Sequence, residues 1–96
     1  MKAAIVIRDR KLFDDGNIME VVVWQVPFSV PPSHHKFKYR LFYGQPGIRK
    51  VGYDNERGKG DHKHIHNKEL PYLFVTIAKL LDDFEADIST QRGEAR

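Results

Sequence analysis

Helical periodicity occurs at one place in this chain, its C-terminal end. Ile77, Leu80, Leu81, Phe84 and Ile88 fall on one stripe, with Asp82, Asp83, Glu85 and Asp87 on the opposite face. Thr76 has the side chain of an N-cap and Gly93 that of a stop. Everything before Thr76 either alternates with period two or carries turn residues, so one helix has to cover whatever sheet the rest of the chain builds. The order reads β-β-β-β-α. It predicts an α+β fold, a four-stranded antiparallel sheet of two hairpins with a C-terminal amphipathic helix packed on one face.

The first hairpin is expected from Ala3 to Arg10 and Ile18 to Val26 around Asp14-Asp15-Gly16-Asn17, residues that tolerate turn conformations. In the second run both faces are mostly apolar, the pattern of a central strand. Pro27, Pro31 and Pro32 break it, which makes 27–35 a connecting loop. From Lys36 to Tyr43 alternation is strict. Phe37, Tyr39, Leu41 and Tyr43 share one face; Lys36, Lys38, Arg40 and Phe42 share the other. Gly44-Gln45-Pro46-Gly47 then supplies a turn, and Ile48 to Tyr53 returns as the fourth strand. A four-residue loop here sets Arg40 opposite Val51, Lys38 opposite Tyr53, Phe42 opposite Arg49 and Gly52 opposite Tyr39. One face then gathers Lys36, Lys38, Arg40, Arg49 and Tyr53, an arrangement that a one-residue slip would scatter. Residues 54–68 hold Gly58, Gly60 and one aliphatic side chain, and read as a polar, mobile loop.

The chain of 96 residues has room for one core, so 1–96 is expected to be a single domain whose stability is modest unless a homodimer or a protein partner adds to it. It has no cysteine, which excludes disulfides, thiolate metal sites and cysteine nucleophiles. The apolar run Ala3 to Ile7 is too short for a signal segment, and nothing approaches a membrane span. The cytoplasm is the expected location.

Charge is unevenly distributed. Residues 1–33 sum to 0, residues 34–68 to +6 and residues 69–96 to −3, and all five histidines lie in the middle segment. Such a segment is the electrostatic footprint of a surface that meets phosphate or an acidic partner. Lysines that merely keep a sheet face solvated and its edges unpaired account for the same pattern.

Metal-free RNA cleavage needs a base near pKa 7 for the 2′-hydroxyl proton, an acid for the leaving oxygen and fixed cations for the phosphate. The stretch from Gly52 to His66 offers His62, His64 and Glu56 as acid or base, with Arg57, Lys59 and Lys63 between them. Together with Lys38, Arg40, Arg49 and Tyr53, the lysines form the candidate phosphate- and RNA-binding set. This chemistry calls for no cofactor. His62, His64 and His66 alternate, so in an extended segment they point the same way and can hold Zn²⁺ with an open fourth position, Asp61 orienting one of them or adding a ligand. Tyr39 and Tyr43, on a strand's apolar face, are expected in the core rather than stacked on bases.

Three stretches, Pro32-Ser33-His34-His35-Lys36-Phe37-Lys38-Tyr39-Arg40-Leu41, Val51-Gly52-Tyr53-Asp54-Asn55-Glu56-Arg57-Gly58-Lys59-Gly60-Asp61-His62-Lys63-His64 and Glu69-x-Pro71-Tyr72-x-Phe74, resemble the TumE-like family of toxin-antitoxin proteins, as does Val23-Trp24-Gln25-Val26-Pro27. The resemblance covers nearly the whole chain. It implies the toxin half of a two-gene module, a small helix-turn-helix DNA-binding antitoxin as partner, and RNA as the target. The expectation is therefore a toxin that binds RNA through the basic hairpin face and cleaves or blocks it with the 54–64 loop. The same residues also fit a non-catalytic protein that docks an acidic or antitoxin partner, or a metal hydrolase built on the histidines.

Overall fold

The two N-terminal β-rich runs pair as expected. Strand β1 (Ala4–Leu12) runs antiparallel to β2 (Ile18–Gln25), with a register shift between Ile5 and Ile7. Strands β3 (Phe37–Gln45) and β4 (Ile48–Glu56) follow, then β5 (Gly60–Ile65), β6 (Lys68–Pro71) and helix α1 (Ile77–Gln91). This computed structural model describes residues 3–94; residues 1–2 and 95–96, the ends of the expected domain, lie outside the described residues.

The sheet has six strands rather than four, in the order β1-β2-β3-β4-β5-β6, each antiparallel to its neighbours. The two additional strands come from the segment expected to be a mobile loop. Its glycines do not break structure. They close a three-residue turn, Arg57-Gly58-Lys59, between β4 and β5. His66, at φ 53°, then turns β5 into β6 with a left-handed conformation that histidine tolerates better than most residues.

The β3–β4 register also differs from expectation. The connecting turn is Pro46-Gly47 alone, and Arg40 sits opposite Asp54 rather than Val51, with Phe42 rather than Tyr39 opposite Gly52. A displacement of three residues is odd, so β4 presents the opposite faces from those expected: Tyr53 goes to the helix side and Asp54 to the other. The shorter turn accounts for two residues of the displacement and a bulge between Tyr43 and Gly44 for the third, and there the chain packs so closely that a Cβ on Gly44 would lie 2.1 Å from the Ile48 carbonyl oxygen.

Helix α1 covers one face. Leu80, Phe84 and Ile88 pack on Val21, Val23, Tyr39, Leu41, Tyr43, Val51 and Tyr53. The caps are as expected: Thr76 Oγ1 accepts from the Lys79 N–H at 3.0 Å, and after the last turn Gly93 and Glu94 N–H groups bond to the Thr90 and Ser89 carbonyls. Tyr53 and Tyr72 hydroxyls donate to Asp87 and Asp83, so the acidic face of α1 is tied down at its edge. The polar residues of β5 on this side are paired as well. Lys63 Nζ is 3.2 Å from Asp87, and Asp61 accepts from Ser33 Oγ (2.5 Å), Tyr39 Oη (2.6 Å) and His35 Nε2 (2.7 Å). Asn55, 0% exposed, extends the β3–β4 ladder past its last pair: its amide donates to the Phe37 carbonyl at 2.7 Å and accepts from the Tyr39 N–H at 3.0 Å.

Candidate functional site

Because α1 covers one side of the sheet, the strand alternation leaves a second face that no helix or strand covers among the described residues. Cross-strand pairing defines two rows on it. One runs Arg8–Val22–Arg40–Asp54–His62, the next Arg10–Glu20–Phe42–Gly52–His64–Glu69. Lys38 pairs with Trp24 on the same face. The middle of this face is a broad open hollow lined by Arg8, Val22, Trp24, Arg40, Phe42 and Arg49.

Lys38, Arg40 and Arg49 therefore share one face, although the register that places them differs from the expected one. Arg49 arrives through the bulge and lies over Gly52, where a Cβ would meet its Cδ at 2.6 Å. Tyr53 and Lys63, the other members expected on the basic surface, are on the helix side. Tyr53 is 1% exposed, and Lys63 caps its ring at 5.6 Å while pairing with Asp87. Lys59 and Arg57 are at the tip of the β4–β5 turn, Lys59 Nζ 3.9 Å from Glu69. Glu56 is on the open face at the end of β4. The aromatic groups of this surface are Trp24 and Phe42, which the sequence had not singled out; Tyr39 and Tyr43 are in the core as expected.

His62 and His64, two apart on β5, do come together, with ring centroids 4.9 Å apart and planes at 80°. They are not equivalent. His62 is 5% exposed, its Nδ1 is 3.0 Å from the Gly60 carbonyl, and its Nε2 lies 2.6 Å from Asp54 Oδ1 and 3.6 Å from Glu69 Oε1. Nε2 and Asp54 Oδ1 are close, but the ring N–H direction does not meet the oxygen, so Oδ1 is buried without a hydrogen bond. His64 is half-buried and lies on the open face, across from Gly52. Burial, followed by the Arg49 and His62 charges, lowers its pKa below the ordinary histidine value and favours a neutral imidazole.

His66 does not join this pair. Its Nε2 reaches Gln91 Oε1 on α1 at 2.5 Å, and Asp54 takes the third place instead. One ligand-capable atom from each of Asp54, His62 and His64 lies within 4.8 Å of the others. Asp61, considered as their orienting partner, is on the far side of the sheet with Ser33, His35 and Tyr39. Asp54 could have been found from the sequence only by reading Arg57-Gly58-Lys59-Gly60 as a hairpin turn, which sets position 54 across from 62.

A family model described as Toxin TumE matches residues 3–92. No curated protein and no solved structure gave a match. No helix among the described residues is long and apolar enough to cross a membrane.

Proposed function

The chain belongs to the TumE family of toxins, a membership that implies an antitoxin partner, and from that premise we propose that it acts on RNA through the open face of its sheet. The observation that carries this reading is the shared, uncovered position of Arg40, Arg49 and Lys38 beside Trp24, Phe42 and the His62–His64 pair. Cations on neighbouring strands can follow a phosphate backbone, and aromatic faces beside them give unpaired bases something to stack on.

His64 is the base. It is the less buried imidazole of the pair on the open face, and it takes the proton of a ribose 2′-hydroxyl. The 2′-oxygen then attacks phosphorus, the bond to the 5′-oxygen breaks, and that oxygen leaves with a proton from solvent water or from Glu56 in its acid form. Arg49 and Arg40 neutralise the charge that builds on the non-bridging oxygens. His62, held by Gly60 and buried, positions His64. The products are a 2′,3′-cyclic phosphate and a 5′-hydroxyl end.

The antitoxin, a DNA-binding protein in this reading, silences the toxin by laying an acidic segment over the same face, where Ile18, Val22 and Trp24 give it apolar contacts. Fluorescence anisotropy with a short single-stranded RNA tests the surface. Affinity should fall steeply with salt, and Arg40→Ala should lower the slope of log K against log salt by about one unit. Salt-independent binding would remove the RNA reading. End-group analysis of the products tests the reaction separately.

A further inference from the structure

The contact between His62 and Asp54 does not make sense as an ordinary pair. The His62 Nδ1 lies 3.0 Å from the Gly60 carbonyl, an acceptor only, so this nitrogen carries the ring proton and Nε2 presents its lone pair. Nε2 sits 2.6 Å from Asp54 Oδ1, a buried carboxylate oxygen with no hydrogen bond. Two electron-rich atoms at this separation repel unless a cation lies beside both. A second proton on His62 would make the contact an ion pair but leave Oδ1 without an aligned hydrogen bond, whereas an ion beside both atoms would be met by a lone pair from each.

We propose that Asp54, His62 and His64 form a binding site for one divalent transition-metal ion of the Zn²⁺ class. Two imidazoles and one carboxylate are the borderline donors such ions select, and they are too few oxygens for Mg²⁺ or Ca²⁺. Around a tetrahedral ion with bonds of about 2.0–2.1 Å the donor atoms stand roughly 3.3 Å apart. The separations here, 2.6 Å for one pair and at most 4.8 Å for any, bracket that value, so side-chain rotation alone admits the ion. The donors sit on paired strands: His62 and His64 alternate on β5, and Asp54 is directly across from His62. The Gly60 carbonyl supplies the outer hydrogen bond that fixes the tautomer and orientation of a ligating histidine. Glu69, opposite His64 and with Oε1 3.6 Å from His62 Nε2, is within reach as a fourth ligand, and the remaining approach is from the open hollow. Arg49, whose charge already acts on His64, Arg40, paired across the strands with Asp54, and Lys59, 3.9 Å from Glu69 Oε1, are the cations beside the site that oppose a further one.

This inference stands apart from the action on RNA, and its test reads metal binding alone. The full chain, without an affinity tag, is titrated with ZnCl₂ by calorimetry and with CoCl₂ by visible absorption. One saturable equivalent is expected, with the Co²⁺ form showing the intense bands of a four-coordinate site. His64→Ala and Asp54→Asn, both outside the core, should each weaken binding at least 10-fold, while His66→Ala leaves it unchanged. Absence of saturable binding by the folded chain would overturn the site, and so would equal affinity in His64→Ala, or loss confined to His66→Ala.

Discussion

Arg49 rests its side chain on Gly52, at the one position of β4 where the open face carries no Cβ. The contact sets where the guanidinium stands, and through it the charge felt by His64, which is paired directly across from Gly52. Gly52→Ala adds a methyl group that would lie 2.6 Å from Arg49 Cδ, and a flexible side chain gives way by swinging off the sheet. The fold should survive. The His64 pKa should rise toward the ordinary histidine value as the Arg49 charge withdraws, and Arg49→Ala should move it in the same direction. Titration of the His64 ring protons by NMR in both variants checks this; an unchanged His64 in Arg49→Ala would detach the two residues.

The two histidines should separate in their effects. His64→Ala removes the half-buried ring on the open face, and should cut RNA cleavage roughly 10²- to 10⁴-fold with little change in stability. His62→Ala instead leaves Asp54 and the Gly60 carbonyl without their buried neighbour, and should lower stability by about 1–3 kcal/mol. Read as a mobile loop, this segment would have let either histidine go without cost. Urea unfolding of the two variants beside product analysis distinguishes the cases, and equal destabilisation by both would make His64 a structural residue too.

Asp61 makes the fold sensitive to acid. Burial alone would raise its carboxyl, but hydrogen bonds donated by Ser33, Tyr39 and His35 outweigh burial and hold it below the ordinary carboxylate value. A folded pKa below the unfolded one means that the carboxylate contributes stability above the unfolded value of about 3.9, and that this contribution is lost as pH falls through the folded value. Urea midpoints should therefore drop below about pH 4. Asp61→Asn should cost about 1.5–3 kcal/mol at pH 7 and reduce that acid dependence. A variant with the wild-type acid profile would assign it to other carboxylates.

Period-two and period-3.6 hydrophobicity made β2 to β4 and α1 visible in the sequence, because each buries one apolar face under or against the helix, while β1, exposed but for a partly buried Ile7, shows by its β-rich run before a turn. β5 and β6 carry no such signal. The β5 residues on the helix side include Asp61 and Lys63, which are tolerated there only because Ser33, His35 and Tyr39 on one hand and Asp87 on the other satisfy them, partners 22 to 28 positions away for Asp61 and 24 for Lys63. No local pattern reports pairing at that distance. The basic face had a mixed outcome for a related reason: Lys38 and Arg40 follow from alternation within one strand, whereas Tyr53 and Arg49 depend on the β3–β4 register, set by a two-residue turn and a bulge at Gly44. The register moved Tyr53 into the core, and the bulge left Arg49 on the open side. Asp54 was missed because its neighbour in space is eight residues on, across a hairpin whose glycines read as a break.

Zinc tests how the metal site and the proposed reaction relate. An ion held by Asp54, His62 and His64 occupies the lone pair that His64 would use to accept the 2′-hydroxyl proton, so the two uses of this imidazole exclude each other. RNA cleavage by the chain should therefore proceed in EDTA and slow as ZnCl₂ is added, with half-inhibition at the zinc concentration that half-saturates the site in calorimetry. Asp54→Asn should shift both midpoints upward together by 10-fold or more. RNA affinity measured by anisotropy should change much less than rate, because Lys38 and Arg40 keep their phosphate contacts when the ion is bound. If EDTA abolishes cleavage and ZnCl₂ restores it, the base is an ion-bound hydroxide and His64 is its ligand; cleavage that ignores both reagents while the site titrates normally would place the reacting bond away from this pair, with Glu56 and Arg40 the next groups on the same face to replace.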